Sequence, residues 1–181
     1  MKKFELTAES KINIFGKKLF RIKALISFGD VEEGETGGWI EKEENLEQSS
    51  GDAWVYGDAE VYGNARVSGN AEVYGNARVS GNARVYGDAW VYGDAWVYGN
   101  ARVSGNADYT TIHGFGTQFR TTTFFQCEDK QIRVSCGCFL GTIPEFREQV
   151  KNTREGKIAE EYLMIADLME KHFVKEKESG E

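Results

Sequence analysis

The chain has 181 residues, a length that supports one substantial hydrophobic core or two small ones. Its 29 Asp and Glu residues exceed its 22 Lys and Arg residues. The resulting formal net charge of −7 argues against general nucleic-acid binding, which would show a basic excess. The chain holds 21 Gly but 1 Pro, and because disorder would raise both, the glycines must serve a regular backbone feature.

Residues 1–36 are predicted to form an N-terminal β cap. The stretch from Leu19 to Phe28 alternates apolar with polar residues, which is typical of one or two strands. The opening stretch from Phe4 to Phe15 is expected to pair with it.

From Asp52 to Asn106 the sequence repeats every six residues as Ala-x-Val-x-Gly followed by Asn or Asp, a period that fits neither a helix nor a hairpin meander. Side chains alternate along a strand, so Ala and Val share one face of a short strand, and Gly-Asn or Gly-Asp forms a corner. Strands and corners in alternation predict a narrow solenoid over residues 37–112. Its first coil, with Ile40 and Leu46 six residues apart, is less regular, as expected of a terminal repeat.

This repeat resembles the hexapeptide-repeat family of left-handed parallel β-helix proteins. In that family three hexapeptides form one triangular coil, with an aliphatic side chain inside each face. One departure is that the residue after the aliphatic is often Gly in acyltransferase members, whereas here it is Tyr or Ser and Gly comes one place later. Members usually form threefold trimers with their coils side by side, so the resemblance implies a homotrimer.

Residues 113–181 are predicted to form a small module of a β-hairpin and two helices. Tyr109 and Ile112 fit the start of one further coil before the module. Thr121 to Gln126 and Ile132 to Cys136 are typical of the two hairpin strands.

Two helices are expected after the hairpin. Thr142 provides an N-cap for the first, Pro144 lies in its first turn and Glu145 follows three residues after the cap. The second is predicted from about Gly156 to Phe173, where apolar residues recur at helical spacing, and the charged tail beyond residue 175 is expected to be frayed. The fold class is therefore mainly β: a left-handed parallel β-helix with an N-terminal β cap and a C-terminal ββαα module.

The flanking segments carry a second resemblance. The run GDVEEGETGGWIEKEENL, and the stretch TTTFF followed by VSCGCFLGTIPEFREQV, are similar to segments of proteins encoded by phages and prophages. This resemblance implies a mobile-element accessory protein in the host cytoplasm. The composition fits that compartment, because no signal peptide or membrane span is visible and 3 Cys without a secretion signal fit reduced thiols.

With three hexapeptides per coil, every eighteenth residue stacks on its predecessor about 4.8 Å away. The outward side chains then fall into three faces. The aromatic face carries Trp54, Glu72 and Trp90 with Tyr56, Tyr74 and Tyr92; the mixed face carries Glu60, Arg78 and Trp96 with Tyr62, Ser80 and Tyr98; the arginine face carries Arg66, Arg84 and Arg102 with Ser68, Tyr86 and Ser104.

Two of these faces are candidate binding surfaces. Three stacked guanidinium groups repel one another, so carboxylates, a partner subunit or a bound anion should offset them, and the flat fork of Arg suits each. The aromatic face is too apolar to stay exposed, and either self-association or a groove for a partner protein or stacked base would cover it. The candidate binding residues are Arg66, Arg84, Arg102, Trp54, Trp90 and Tyr92 on these two faces, together with Trp96 and Tyr98 on the mixed face.

The sequence offers few candidate catalytic or metal-binding residues. Hexapeptide acyltransferases use a histidine base, and His113 is the only candidate near the coil; the family's carbonic anhydrases use three histidines, and this chain has 2. Cys127, Cys136 and Cys138 could form a Cys₃His zinc site with His113. However, Cys-x-Cys is an unusual spacing, and Cys136 and Cys138 more simply face one core as buried thiols. We expect no catalytic residues, no metal and no cofactor.

The sequence thus predicts a non-enzymatic, trimeric binding protein that presents its terminal modules to a host protein, with inhibition of a host or defence factor as its role. One alternative is sequestration of a small anionic, nucleotide-like ligand by the arginine face. The other is an acyltransferase-like enzyme that uses His113 and a CoA thioester. Neither general nucleic-acid binding nor membrane association is expected.

Overall fold

The computed structural model describes residues 2–174. The N-terminal cap is a three-stranded antiparallel sheet of β1 (Phe4–Ile12), β2 (Lys18–Ala24) and β3 (Thr36–Ile40). The predicted pairing of the two opening segments is confirmed. β3 continues as a parallel strand into the coil, where Ile40 pairs with Val61, and Leu46 forms a parallel bridge to Val67. The irregular first coil is therefore also confirmed.

Nine two-residue strands form the body of a β-solenoid of about four turns. They are β4 (Trp54–Val55), β5 (Glu60–Val61), β6 (Arg66–Val67), β7 (Glu72–Val73), β8 (Arg78–Val79), β9 (Arg84–Val85), β10 (Trp90–Val91), β11 (Trp96–Val97) and β12 (Arg102–Val103). Each strand from β4 to β9 pairs in parallel with the strand eighteen residues later, which gives the stacks β4-β7-β10, β5-β8-β11 and β6-β9-β12. This register confirms the sorting of outward residues into three faces. The left-handed sense of the coil stays a prediction.

Alanine and valine fill the interior of the coil, as their alternation predicts. Every Val of the repeat is at most 1 % exposed, and the alanines are fully buried. The corners stack as well: Asn70 Nδ2 donates to Asp88 Oδ1 at 3.0 Å and Asn76 Nδ2 donates to Asp94 Oδ1 at 3.1 Å. Polar side chains thus align the corners while small apolar ones fill the core.

A four-stranded antiparallel sheet follows the coil: β13 (Tyr109–Phe115), β14 (Arg120–Gln126), β15 (Ile132–Cys136) and β16 (Phe139–Thr142). The hairpin of β14 and β15 is confirmed, whereas β16 was not predicted. The expectation that Tyr109 begins another coil is wrong, because β13 pairs with β14 in the antiparallel sheet. Tyr109 is too large for the narrow interior, and instead it packs with Phe125 and Cys127 over the last coil.

Two helices, α1 (Ile143–Thr153) and α2 (Gly156–His172), pack against this sheet and confirm the predicted pair. The cap of α1 is as expected: Glu145 N donates to Thr142 Oγ1 at 3.3 Å, and Thr142 N donates to Glu145 Oε2 at 2.7 Å. Neither helix has the length and apolar character that a membrane-spanning segment needs. The predicted frayed tail, residues 175–181, lies outside the described residues.

Candidate interaction surface

The mixed face of the coil is covered by the chain's own N-terminal hairpin. Phe15, in the turn between β1 and β2, lies 5.2 Å from Trp96 and 6.1 Å from Tyr62 between ring centroids. Lys11 pairs with the buried Glu60 at 2.9 Å. Charged and aromatic groups of this face are thus covered by other parts of the same chain.

Two predicted binding residues lie on this covered face. Trp96 stacks on Tyr98 with centroids 4.9 Å apart, and Tyr98 lies 6.2 Å from Phe125 of the C-terminal sheet. Both side chains are half-buried by other parts of the same protein. Trp96 and Tyr98 are therefore assigned to internal packing, a correction that the repeat pattern alone could not provide.

The aromatic face is divided into a covered half and an open half. Trp54 is fully buried beneath Phe4 and Phe28, whose centroids lie 6.1 and 5.4 Å away, so its place among the binding residues is corrected to the core. At the other end Trp90 is 47 % exposed and Tyr92 is 51 % exposed. This open half is an apolar patch.

Glu72 stands between these two halves. It pairs with Trp54 on one side and Trp90 on the other in the parallel stack. Burial raises the pKa of its carboxyl, and the nearby Asp30 adds to the rise. No Lys or Arg nitrogen of residues 2–174 lies within 4 Å of it, so this half-buried carboxylate has no cationic partner among the described residues.

On the arginine face Arg66 and Arg84 are exposed and Arg102 is partly covered. Its two ends meet carboxylates: Arg66 Nη2 lies 3.9 Å from Glu47 Oε2, and Arg102 Nη2 lies 2.9 Å from Glu128 Oε2. Arg84, in the middle, is exposed and makes no ion pair with any described residue. A shallow groove of about 380 Å³ runs over these side chains. The free positive charge is concentrated at its centre.

The arginine face and the open half of the aromatic face share one corner. Tyr86, Gly87 and Asp88 connect β9 on the first to β10 on the second, and Tyr86 is 39 % exposed there. The two uncovered faces of the prism therefore form a continuous surface around this corner. The sequence placed Glu72 and Tyr86 on these faces but gave no sign of their importance, which depends on what the termini cover.

His113 and the cysteines do not assemble into a reactive site. His113 is exposed on β13, with its Nδ1 3.1 Å from Thr121 Oγ1. Cys127 belongs to the core of the coil, where burial raises the pKa of its thiol to about 11. Cys136 packs on the core of the C-terminal module, while Cys138 is exposed in the turn after it, so the expectation that these two face one core is wrong. Gly137, with φ +61°, reverses the chain between them.

The coil is similar to one known repeat. The YdcK beta-solenoid repeat model matches residues 59–75, 71–84, 77–93, 83–99 and 95–107, which span β5 to β12 and roughly a quarter of the chain. No curated protein matches the chain significantly. The chain is thus a repeat β-solenoid protein.

Proposed function

We propose that this protein is a non-enzymatic homotrimer, in which the coil is the assembly stem and the C-terminal modules bind a host partner. The observation that carries the proposal is the pair of uncovered faces that meet at one corner. In the described part of the chain, one face carries a cation without an ionic partner, Arg84, and the other carries a half-buried carboxylate without one, Glu72, beside exposed aromatic rings. Aromatic residues and Arg are enriched in the cores of protein interfaces.

A threefold axis parallel to the coil and beside the Tyr86 corner would bring the arginine face of one protomer against the aromatic face of the next. Rotation about this axis does not change the position of a residue along the axis, so equivalent residues of the three protomers lie at the same height. Glu72 and Arg84 are twelve residues apart, two thirds of one coil, and so differ in height by about 3 Å at about 4.8 Å per coil. Arg84 of one protomer can therefore meet Glu72 of its neighbour.

The lengths of the side chains also suit this arrangement. Three triangular prisms that meet along one corner leave wedge-shaped gaps between neighbouring faces, and long side chains such as Arg, Trp and Tyr can fill them. A guanidinium over the exposed ring of Trp90 or Tyr92 would add a cation–π contact of about 0.5–2 kcal/mol. The trimer would contain three such interfaces, each between the positively charged arginine face of one protomer and the aromatic face of the next.

The trimer would carry three C-terminal modules at one end of the stem. Each presents Met164 and Leu168, which lie one helical turn apart on α2 and are 70 % and 57 % exposed. Exposed apolar groups on a regular helix favour docking of another protein. The resemblance of the flanking segments to phage and prophage proteins supports a host or defence factor as the target, and inhibition in the host cytoplasm as the role.

Charge exchange tests the assembly. Arg84→Glu and Glu72→Arg, each alone, should convert the trimer to monomer in light scattering coupled to gel filtration, because each places like charges together. The double variant should recover the trimer. Lys151→Glu, on the exposed surface of α1, is the control and should remain trimeric. A monomeric unmodified protein, or a double variant that fails to recover assembly while both single variants stay folded, would contradict the proposed interface.

Partner binding is tested separately. Tagged protein expressed in the host should retain a stoichiometric protein through purification, and Met164→Glu with Leu168→Glu should release it without a change in trimer mass. Retention of the same protein by this double variant would show that α2 is not the contact.

A second candidate, capture of a small anion on the arginine face, is favoured by one observation: Arg84 lacks a carboxylate partner within the groove. Phosphate-bearing ligands should then raise the melting temperature, and replacement of Arg66, Arg84 and Arg102 by Gln should abolish that rise. An unchanged rise in the triple variant would exclude the arginine face as the ligand site.

A further inference from the structure

A cleft of about 380 Å³ lies in the C-terminal module, between the sheet and the two helices. Its apolar lining includes Phe139 of β16 with Phe146 and Val150 of α1, and Phe139 and Phe146 lie 5.5 Å apart between centroids. Ligand sites in proteins are commonly of this size, with an apolar lining and a few polar groups. The cleft is remote in sequence from the arginine face and uses different residues.

Two guanidinium groups supply the charge of this cleft. Arg120 and Arg154 both line it, and the described lining residues include no Asp or Glu. Neither arginine forms an ion pair with any residue between 2 and 174; Arg154 Nη1 donates only to the Thr153 carbonyl at 3.0 Å. Two unneutralised cations at one cleft make it favourable for an anion.

The backbone is shaped to hold these groups in place. Gly137 has φ +61°, and a Cβ at this position would stand 2.5 Å from Arg120 Nη1, so the guanidinium rests directly on the turn. Tyr162 packs its hydroxyl over Gly116 in the same way and donates to the Phe115 carbonyl at 3.2 Å. Glycine at both turns therefore leaves the space that the polar groups of the cleft occupy.

The positive charges of Arg120 and Arg154 both affect the pKa of Tyr162. Burial raises the pKa of Tyr162, the Cys136 thiol adds to the rise, and the positive charges of Arg154 and Arg120 oppose it. Arg120, Arg154 and Tyr162 all line the cleft, so both positive charges are near the Tyr162 hydroxyl. An anionic group beside that hydroxyl would be attracted by both guanidinium groups.

We infer that this cleft binds a small organic anion, with a flat apolar body against Phe139 and Phe146 and a phosphate or carboxylate between Arg120 and Arg154. Such a ligand would supply the counter-charge that the cleft lacks and bury its apolar part in the same site. A mononucleotide and an aromatic carboxylate share this chemistry.

Calorimetric titration with AMP and with 1-naphthoate tests the inference, and adenosine and inorganic phosphate serve as partial ligands. At least one of the two anions should bind with one site per chain, and whichever binds identifies the source of the ligand. Replacement of Arg120 and Arg154 by Gln should weaken it at least about tenfold. Lys151→Gln removes an exposed cation of α1 that does not line the cleft, and it should leave the affinity unchanged. Arg84→Gln separately tests whether the anion binds the arginine face instead.

Cys138 gives a second measurement that needs no arginine variant. Its thiol is exposed and lines the cleft, so a bound anion should slow its alkylation by iodoacetamide in the unmodified protein. Adenosine binding as tightly as AMP would overturn the role of the charge. Absence of binding up to millimolar concentration, unchanged alkylation of Cys138, or loss of binding in Arg84→Gln but not in the cleft variant would overturn the site. The last result would instead support the arginine face.

Discussion

The corner glycines occupy equivalent places in the sequence repeat, but the stacking of the corners gives them different surroundings. Gly69 and Gly57 both lie in the left-handed region, with φ +69° and +58°. A Cβ at Gly69 would stand 2.8 Å from the backbone N of Gly87 in the next coil, whereas a Cβ at Gly57 would meet nothing within 4 Å. Gly105 is extended, with φ −166°, and its Cβ position is also open.

Substitution of each by Ala therefore separates backbone strain from collision between coils. Gly105→Ala should be neutral or stabilising by up to about 1 kcal/mol, because Ala restricts the unfolded chain. Gly57→Ala adds the cost of a left-handed Ala, about 1–2 kcal/mol, which leaves a net loss of about 1 kcal/mol. Gly69→Ala adds overpacking of about 1–3 kcal/mol against a backbone that cannot move aside, for a total loss of about 2–4 kcal/mol.

Thermal unfolding measures this order. At about 2–4 °C per kcal/mol for a chain of this length, Gly69→Ala should melt roughly 5–15 °C below the unmodified protein, Gly57→Ala a few degrees below it, and Gly105→Ala at or slightly above it. Urea denaturation supplies the free energies independently. Equal losses at Gly69 and Gly57 would refute the collision, and a large loss at Gly105 would refute the whole account of the corners.

Three further predictions concern the faces and the thiols. Trp54→Ala should lower the free energy of unfolding by about 3–5 kcal/mol, because the Trp54 ring is enclosed by Phe4 and Phe28. Trp90→Ala should lower it far less but should weaken assembly. Denaturant unfolding measures the first effect, and light scattering measures the second. At pH 8 iodoacetamide should modify Cys138 in the folded protein but Cys127 only after unfolding. Burial raises the pKa of the Cys127 thiol to about 11, so little of it is the reactive thiolate. Equal alkylation rates of the two cysteines, measured by mass spectrometry, would contradict this. Duplication of residues 71–88, one whole coil, should preserve the alignment of the faces and remain trimeric, whereas duplication of residues 71–76 should offset the C-terminal module by one face and impair assembly.

The period of the repeat was sufficient to predict the coil because each unit repeats the same local physics. Alanine and valine alternate inward and glycine makes the corner, so the six-residue unit by itself predicts a narrow solenoid. Three units per coil, and with them the register of eighteen residues, were implied by the resemblance to hexapeptide-repeat proteins. The helix start at Thr142 was predictable for a similar reason, since a capping box is a local pattern.

The candidate surface was less predictable, because it depends on which outward residues the termini cover. Nothing near Trp54 in sequence indicates that Phe4 and Phe28 fold over it, while its repeat partner Trp90 remains open. Arg120 and Arg154 belong to no motif, and only the packing of α1 and α2 on the sheet brings them to one cleft. These contacts are between residues that are distant in the chain, so neither the period of the repeat nor a short sequence motif can predict them.

The arginine column itself requires a reason beyond the fold of one chain. The coil fixes its inward residues but leaves the outward position between Ala and Val free, and that position holds Trp, Glu and Arg in different units. A stack of three like charges about 4.8 Å apart destabilises the monomer, and Ser or Thr at the same positions would avoid the repulsion. Among residues 2–174, Glu47 and Glu128 offset only the two ends of the column, and the central charge of Arg84 has no carboxylate partner there. The proposed interface would compensate this charge with Glu72 of a neighbouring protomer, and the second candidate function would compensate it with a bound anion. The charge-exchange variants and the ligand-induced rise in melting temperature decide between the two.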